Sequence, residues 1–298
     1  MTSLAERLAQ GDIILIDGGT GTELEKRNVP MDSHAWSAAA NLTHPGLIRE
    51  IHEEYIRAGA DLIIANTFGT SRHVLEPSGL ADQFEAINAD AVQLAREARD
   101  RAADREVWVA GSISTTTFYR GQPSEAVAKA NFVDQAHILA EAGSDLIVLE
   151  MMRDTVYTRL ALDAARQTGL PVWVGYSTAT TEAGELKLVY SQGELAESLR
   201  DLSRDEVELV SIMHSLTEVT APSLEIVSQN WTGPIGAYAH SGEFIMPVWQ
   251  FIDIITPEDY AQHALQWVDM GVQVIGGCCG IGPEHIRVLN QHLASRRV

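Results

Sequence analysis

The only two cysteines of the chain stand side by side, Cys278 and Cys279, inside the run Gly276-Gly-Cys-Cys-Gly280. Neighbouring residues are a poor disulfide, because a disulfide wants Cα atoms about 5.5 Å apart and adjacent ones lie about 3.8 Å apart. They are a good pair of ligands for a soft metal. The other side chains with chemistry to offer are the imidazoles of His214 and His240 and the carboxylates of Asp17 and Glu150. Two thiols and an imidazole suit zinc, and an open fourth position would make that zinc catalytic rather than structural. Its best use would be to bind an incoming thiol and hold it as thiolate near neutral pH, where a free thiol is mostly protonated. Asp17 and Glu150 would then hold the ammonium group of an amino-acid thiol. Plainer accounts compete with each of these. Two small apolar core residues would also explain the cysteines, and a loop imidazole bonded to backbone would explain His214. A turn or helix cap would explain Asp17, and an ion pair would explain Glu150.

Bringing these residues together is the task of the elements before them. Apolar, β-branched runs alternate with helical patterns along the whole chain. The spacing predicts strands at 13–16, 61–65, 107–110, 145–149, 171–175, 208–212, 234–237 and 272–280. Helices are expected from His44-Pro45 to Gly59, and over 84–103, 126–142, 155–168, 194–202, 221–229, 257–270 and 283–294. Eight strand–helix units with no break in composition argue for a single (β/α)8 TIM barrel spanning 1–298. An open doubly wound sheet is the second choice; its phosphate loop would have to be Asp17-Gly-Gly-Thr-Gly, whose aspartate meets phosphate with like charge.

In a barrel of this kind the chemistry sits at the C-terminal ends of the strands. In order, the strands deliver Asp17 and Gly18, Asn66 and Thr67, Ser112, Glu150, Ser177, His214, Tyr238 with His240, and Cys278 with Cys279. Strands six and eight flank strand seven, so His214, His240 and the thiols can reach one point. Trp36, in the loop after the first strand, offers a ring face to a methylated cation.

A formal charge of −20, from 41 acidic and 21 basic residues, disfavours nucleic acid and anionic membranes as partners. No apolar run approaches the roughly 18 residues needed to span a bilayer, and residues 1–10 form a short charged helix rather than a secretory signal. Two cysteines make no disulfide framework, so a reducing cytoplasm is the expected location.

The motifs Asp17-Gly-Gly-Thr-Gly-Thr-Glu-Leu, His44-Pro45, Asn66-Thr-Phe, Gly111-Ser-Ile, Asp145-Leu-Ile-Val-Leu-Glu150, Ser241-Gly-Glu and Gly276-Gly-Cys-Cys-Gly280 resemble those of the homocysteine S-methyltransferases. The resemblance covers nearly the whole chain. It implies a zinc-dependent barrel that methylates homocysteine to methionine. It also implies Cys278 and Cys279 as zinc ligands, with Asp17, Thr67 and Glu150 at the homocysteine-binding positions. Gly18, Trp36 and Tyr238 join them as expected substrate-binding residues. Implied donors are S-methylmethionine, S-adenosylmethionine and betaine-like ammonium or sulfonium compounds, or methyltetrahydrofolate. A chain with room for one barrel favours a small cation.

Three positions depart from the family pattern. The first zinc cysteine, expected after the sixth strand in an Asn-Cys pair, is replaced by Met213-His214, so His214 is the expected third ligand and, with Cys278 and Cys279, the expected catalytic set. Met151 stands where threonine is usual, and Ala239-His240 replaces Pro-Asn. A histidine ligand would leave a thiolate-loaded site with a charge of about −1, against about −2 for three cysteines. Alternatives to this reading are a diverged enzyme with another thiol acceptor and a zinc-free barrel that serves binding or regulation.

Overall fold

The structure is a computed structural model that describes residues 3–117, 121–245 and 250–296. Eight parallel strands follow one another around a single sheet in the order first, eighth, seventh, sixth, fifth, fourth, third, second. They are Ile14–Leu15, Leu62–Ile64, Trp108–Ser114, Leu146–Met152, Val172–Tyr176, Leu209–Leu216, Ile235–His240 and Val274–Ile275. A parallel bridge between Ile16 and Leu62 joins the two ends of that order, which makes the sheet a (β/α)8 barrel.

Period-two alternation decides which side chains fill the barrel. On the fourth strand Leu146 and Val148 face the interior, while Ile147 and Leu149 face the helices. The fifth does the same with Trp173 inward and Val172 and Val174 outward. Each fully buried aliphatic side chain of this kind contributes about 1.5–3 kcal/mol relative to exposure. The bottom of the barrel is plugged by the helix Leu4–Ala9. Ser3 and Glu6 cap it reciprocally, and Leu4 and Leu8 join the interior cluster.

The strand starts at this end are pinned by acids. Asp61 accepts a hydrogen bond from the amide of Leu15 at 3.0 Å and has Arg105 at 3.6 Å. Asp145 accepts from the amide of Val109 at 2.7 Å and has Arg99 at 3.8 Å.

The elements differ from the sequence expectation mainly at the mouth. Strands three, four, six and seven run past their expected ends, and four and six do so through register shifts at Leu149/Met152 and Met213/Leu216. The eighth strand, expected over 272–280, pairs in register only at Val274–Ile275. Beyond it the backbone bonds alternately to both neighbours: Gly276 and Cys278 donate to Ala237 and Ala239, and Gly277 donates to Asp17. Two antiparallel hairpins, Thr178–Thr180 with Leu186–Leu188 and Glu243–Ile245 with Gln250–Ile252, stand over the mouth. The helix expected over 221–229 runs from Thr217 to Asn230 with Pro222 inside it. A proline suggests a helix start because it has no N–H to give; here one intrahelical bond is forgone instead. Among the described residues no helix is long and apolar enough to cross a membrane.

Candidate active site at the barrel mouth

Cys278 and Cys279 are fixed by their own backbone before any ligand is considered. The Cys278 amide donates to Ala239, the Cys279 carbonyl accepts from the Ser241 amide, and the Gly280 amide donates to the Thr22 hydroxyl. Gly280 has φ of 81°, and a Cβ there would run into the carbonyl oxygen of Ser241, so only glycine allows this turn. The bulge on the sixth strand does the matching work for His214. Met213 keeps its side chain in the barrel interior, where its sulfur accepts from the Met151 amide at 3.1 Å and the Ser177 hydroxyl at 3.2 Å. His214, the next residue, adopts φ of 45° and turns towards the thiols. Such a conformation costs about 1–3 kcal/mol in a residue with a Cβ.

The outcome is a compact donor set. His214 Nδ1 lies 3.4 Å from Cys278 Sγ, which lies 4.0 Å from Cys279 Sγ. Ligand atoms of all three fall within 4.8 Å of one another. Tetrahedral zinc with usual bond lengths places its ligand atoms about 3.5–3.8 Å apart, so these three residues fit such an ion with little movement. Electrostatics points the same way. The neighbouring thiol and burial push Cys278 well above the usual thiol range, against the pull of His214. Two thiolates therefore share this spot only around a cation. Burial pulls His214 down, but Cys278 and Glu150 outweigh it and the net direction is up. His240 stacks on His214 with ring centroids 4.5 Å apart, and burial with the His214 charge pulls it down to about 3. It stays a neutral neighbour, outside the three-residue donor set.

The two carboxylates lie on the floor of the mouth, Glu150 lining its cavity and Asp17 buried outside that lining. Asp17 is 1 % exposed, and one oxygen accepts from the Ile64 amide at 2.8 Å. Burial pushes it well above the usual carboxylate range, helped by Glu150 and opposed by that amide. Glu150 lies within the bulge of strand four, beside Met151 at φ of 56°, and accepts from the Ser112 hydroxyl at 2.5 Å. Burial raises it too, against Ser112, the Tyr238 hydroxyl and His214. Tyr238 points its hydroxyl towards Glu150 and Ser211 without a hydrogen bond of normal geometry. Two buried acids of raised pKa are suited to an ammonium ligand.

Above this floor lies a cavity of about 1500 Å³, lined by Gly18, Trp36, Glu150, His214, Cys278 and Cys279 among others. Trp36 is held at φ of 49° in a tight loop closed by paired backbone bonds with Asp32. Asn66 ties that loop to the second strand through Ser37 and Asn41. The indole covers Gly21, where a Cβ would overlap its ring. Thr67 sits lower than the sequence suggests. Fully buried and outside the cavity lining, it uses its hydroxyl both to donate to the Ser112 carbonyl at 2.8 Å and to accept from the Ser112 amide at 2.9 Å.

Sequence reasoning missed part of the lining. Phe68 and Phe244 meet Trp36 edge-on at 6.3 and 6.0 Å, and Phe251 packs on Phe244 at 4.4 Å, so an aromatic wall adjoins the thiols. Phe68 was within reach as the third residue of Asn66-Thr-Phe. The repeated Phe-Ile of 244–245 and 251–252 was the only trace of the second hairpin.

Comparison with known proteins agrees with this geometry. A family model described as homocysteine S-methyltransferase matches residues 14–293. The selenocysteine methyltransferase of Astragalus bisulcatus is 27 % identical, with 96 % of this chain and 94 % of the relative covered. The S-methylmethionine–homocysteine S-methyltransferase of Rattus norvegicus is 28 % identical over 99 % of this chain and 82 % of its own. Among solved structures, the metallated form of the homocysteine methyltransferase MmuM from Escherichia coli superposes with a TM-score of 0.79 at 25 % identity, covering 94 % of this chain and 96 % of that one.

Proposed function

Since the chain belongs to the homocysteine S-methyltransferase family, whose activity is methylation of homocysteine, we propose that it does so with zinc held by His214, Cys278 and Cys279 and with a small cationic methyl donor. The observation that carries this reading is the convergence of one imidazole and two thiols within 4.8 Å at the mouth of the barrel. When bound, zinc supplies the Lewis acidity that keeps a thiol ionised near neutral pH.

The chain's own residues supply the rest. Asp17 and Glu150 receive the ammonium of homocysteine; its positive charge replaces the water that burial has taken from them. Glu150 is fixed by Ser112, and Ser112 in turn by Thr67. The aromatic wall of Trp36, Phe68, Phe244 and Phe251 attracts the methylated cation through the ring faces it presents. The donor's methyl carbon then forms a bond to the homocysteine sulfur as its bond to the donor heteroatom breaks. The bonding electrons leave with the donor, which departs neutral at that atom. No general acid is required, so alignment of donor, carbon and sulfur is the main contribution of the protein. A reducing compartment suits the exposed edge of the two thiols.

The test is metal analysis of the purified protein together with methionine formation from homocysteine against S-methylmethionine, S-adenosylmethionine and glycine betaine. One zinc per chain and methionine from at least one donor are expected. A metal-free protein that gains no activity on adding zinc would sink the reading.

A further inference from the structure

Arg153 is the one lysine or arginine among the described residues that line the cavity. It stands between the fourth strand and the helix Thr155–Arg166, three residues beyond Glu150. The fourth strand is four places from the eighth in either direction around the barrel, so Arg153 faces the thiols from the opposite side. Its guanidinium donates to the Thr115 carbonyl at 3.3 Å, an oxygen it shares with the amide of Gln122 at 3.0 Å. No carboxylate among the described residues forms an ion pair with it. The adjacent Asp154 is already engaged as a helix cap, accepting from the Tyr157 amide at 2.7 Å. Among the described residues Arg153 is thus a guanidinium with most of its five N–H donors uncommitted, half withdrawn from water, in a cavity lining whose acids are Glu125, Glu150, Asp154, Glu218 and Glu243. Burial lowers its pKa, as expected of a cation without a counterion.

We propose that Arg153 binds the carboxylate of the methyl donor, which makes the donor a zwitterion: an onium group at the aromatic and thiol side of the cavity, a carboxylate at the fourth-strand side. This rests on the methyl-transfer reading and narrows its donor class. A guanidinium grips a carboxylate through two parallel hydrogen bonds, which fixes direction as well as position. The acids of the cavity lining repel a carboxylate elsewhere, so Arg153 sets which way round the donor lies. With the onium group attracted to the rings and the carboxylate to Arg153, the transferable methyl is aimed at the thiol side. The α-carboxylate of homocysteine is the other source of the same chemistry, and the experiment separates the two.

The zinc-loaded enzyme and its Arg153→Gln and Arg153→Lys variants are compared by calorimetric binding of S-methylmethionine, glycine betaine, trimethylsulfonium and homocysteine, and by KM for each donor that turns over. Arg153→Gln should weaken every zwitterionic donor that the unaltered enzyme binds by about 10- to 100-fold. Trimethylsulfonium, which has no carboxylate, and homocysteine should be unaffected, and Arg153→Lys should recover part of the loss. Equal weakening of trimethylsulfonium, weakening of homocysteine instead of the donor, unchanged binding throughout, or no zwitterion bound by the unaltered enzyme would each overturn the proposal. Binding without methionine formation would defeat the methyl-transfer reading while still deciding the role of Arg153.

Discussion

Both ends of the barrel set acids against strand backbone, and they treat them in opposite ways. At the bottom, Asp61 and Asp145 accept from the amides of Leu15 and Val109, and arginines stand at 3.6 and 3.8 Å. At the mouth, Asp17 accepts from the amide of Ile64 in the same manner and Glu150 accepts from Ser112, yet no described lysine or arginine pairs with either. The same residue type thus serves two ends. An acid with its counterion inside the fold is a fastening. A buried acid whose counterion is missing waits for one to arrive, and the fold carries its desolvation cost until then.

The comparison can be broken most severely at the thiols. Cys278→Ser or Cys279→Ser should remove bound metal and lower methyl transfer by at least about 10³-fold, read by metal content and methionine formation. Retention of both metal and rate would remove the mouth's claim to chemistry. Next in size is a contrast across the barrel. Glu150→Gln should raise KM for homocysteine by about 10- to 100-fold without lowering Tm. Asp61→Ala should leave KM alone and cost about 1–3 kcal/mol, because the buried Leu15 amide loses its acceptor. Similar KM effects from both substitutions would erase the distinction between the two ends.

A smaller effect is expected from His214→Cys, which adds a negative charge to the metal's ligands. The acidic limb of the kcat/KM profile should move up by about one pH unit, since the substrate thiol then loses its proton less readily. An unmoved profile would mean that His214 does not touch the metal. The least of the effects concerns the protein without metal or substrate. Asp17 and Glu150 have folded pKa values above their ordinary ones of 3.8 and 4.5, so the folded state binds more protons than the unfolded state. Stability should therefore fall as pH rises from the ordinary carboxylate range through the raised values. The double variant Asp17→Asn/Glu150→Gln should lose that slope in Tm measured against pH.

The eight strand–helix units were legible because each strand is a short apolar run and four of the helices stop at a glycine, Gly59, Gly143, Gly169 or Gly271. The participants at the mouth were legible for the same reason: strand ends announce themselves, and Asp17, Glu150, His214 and the cysteine pair each follow one. What stayed hidden was conformational. Nothing in Leu149-Glu-Met-Met152 or Met213-His-Ser-Leu216 signals a bulge, because a bulge is decided by pairing with the neighbouring strand. Without the bulges, His214 and Glu150 could be assigned to the mouth but not aimed. The resemblance puts Thr67 at a homocysteine-binding position, but the third strand takes both the donor and the acceptor of its hydroxyl. The hairpin Thr178–Leu188 was invisible because its first strand, Thr178–Thr180, has no large apolar residue and its second, Leu186–Leu188, is too short to establish an alternation. Arg153 was passed over because one arginine beyond a strand end is unremarkable until its surroundings prove to lack a partner.

The pairing of Ile14 with Val274 joins residues 260 positions apart, and it has a consequence for how the protein comes into being. Asp17 emerges from the ribosome early, while Cys278 and Cys279 follow only when nearly all the barrel has been made. A nascent chain carrying seven strands has two open sheet edges and a single member of the donor set, His214. Such long-range closure is slow, because loop entropy is lost before the contacts that repay it are formed. The three-residue donor set is therefore complete only at the end of folding. On the proposed reading, a metal held by His214, Cys278 and Cys279 would then tie the last strand to the sixth.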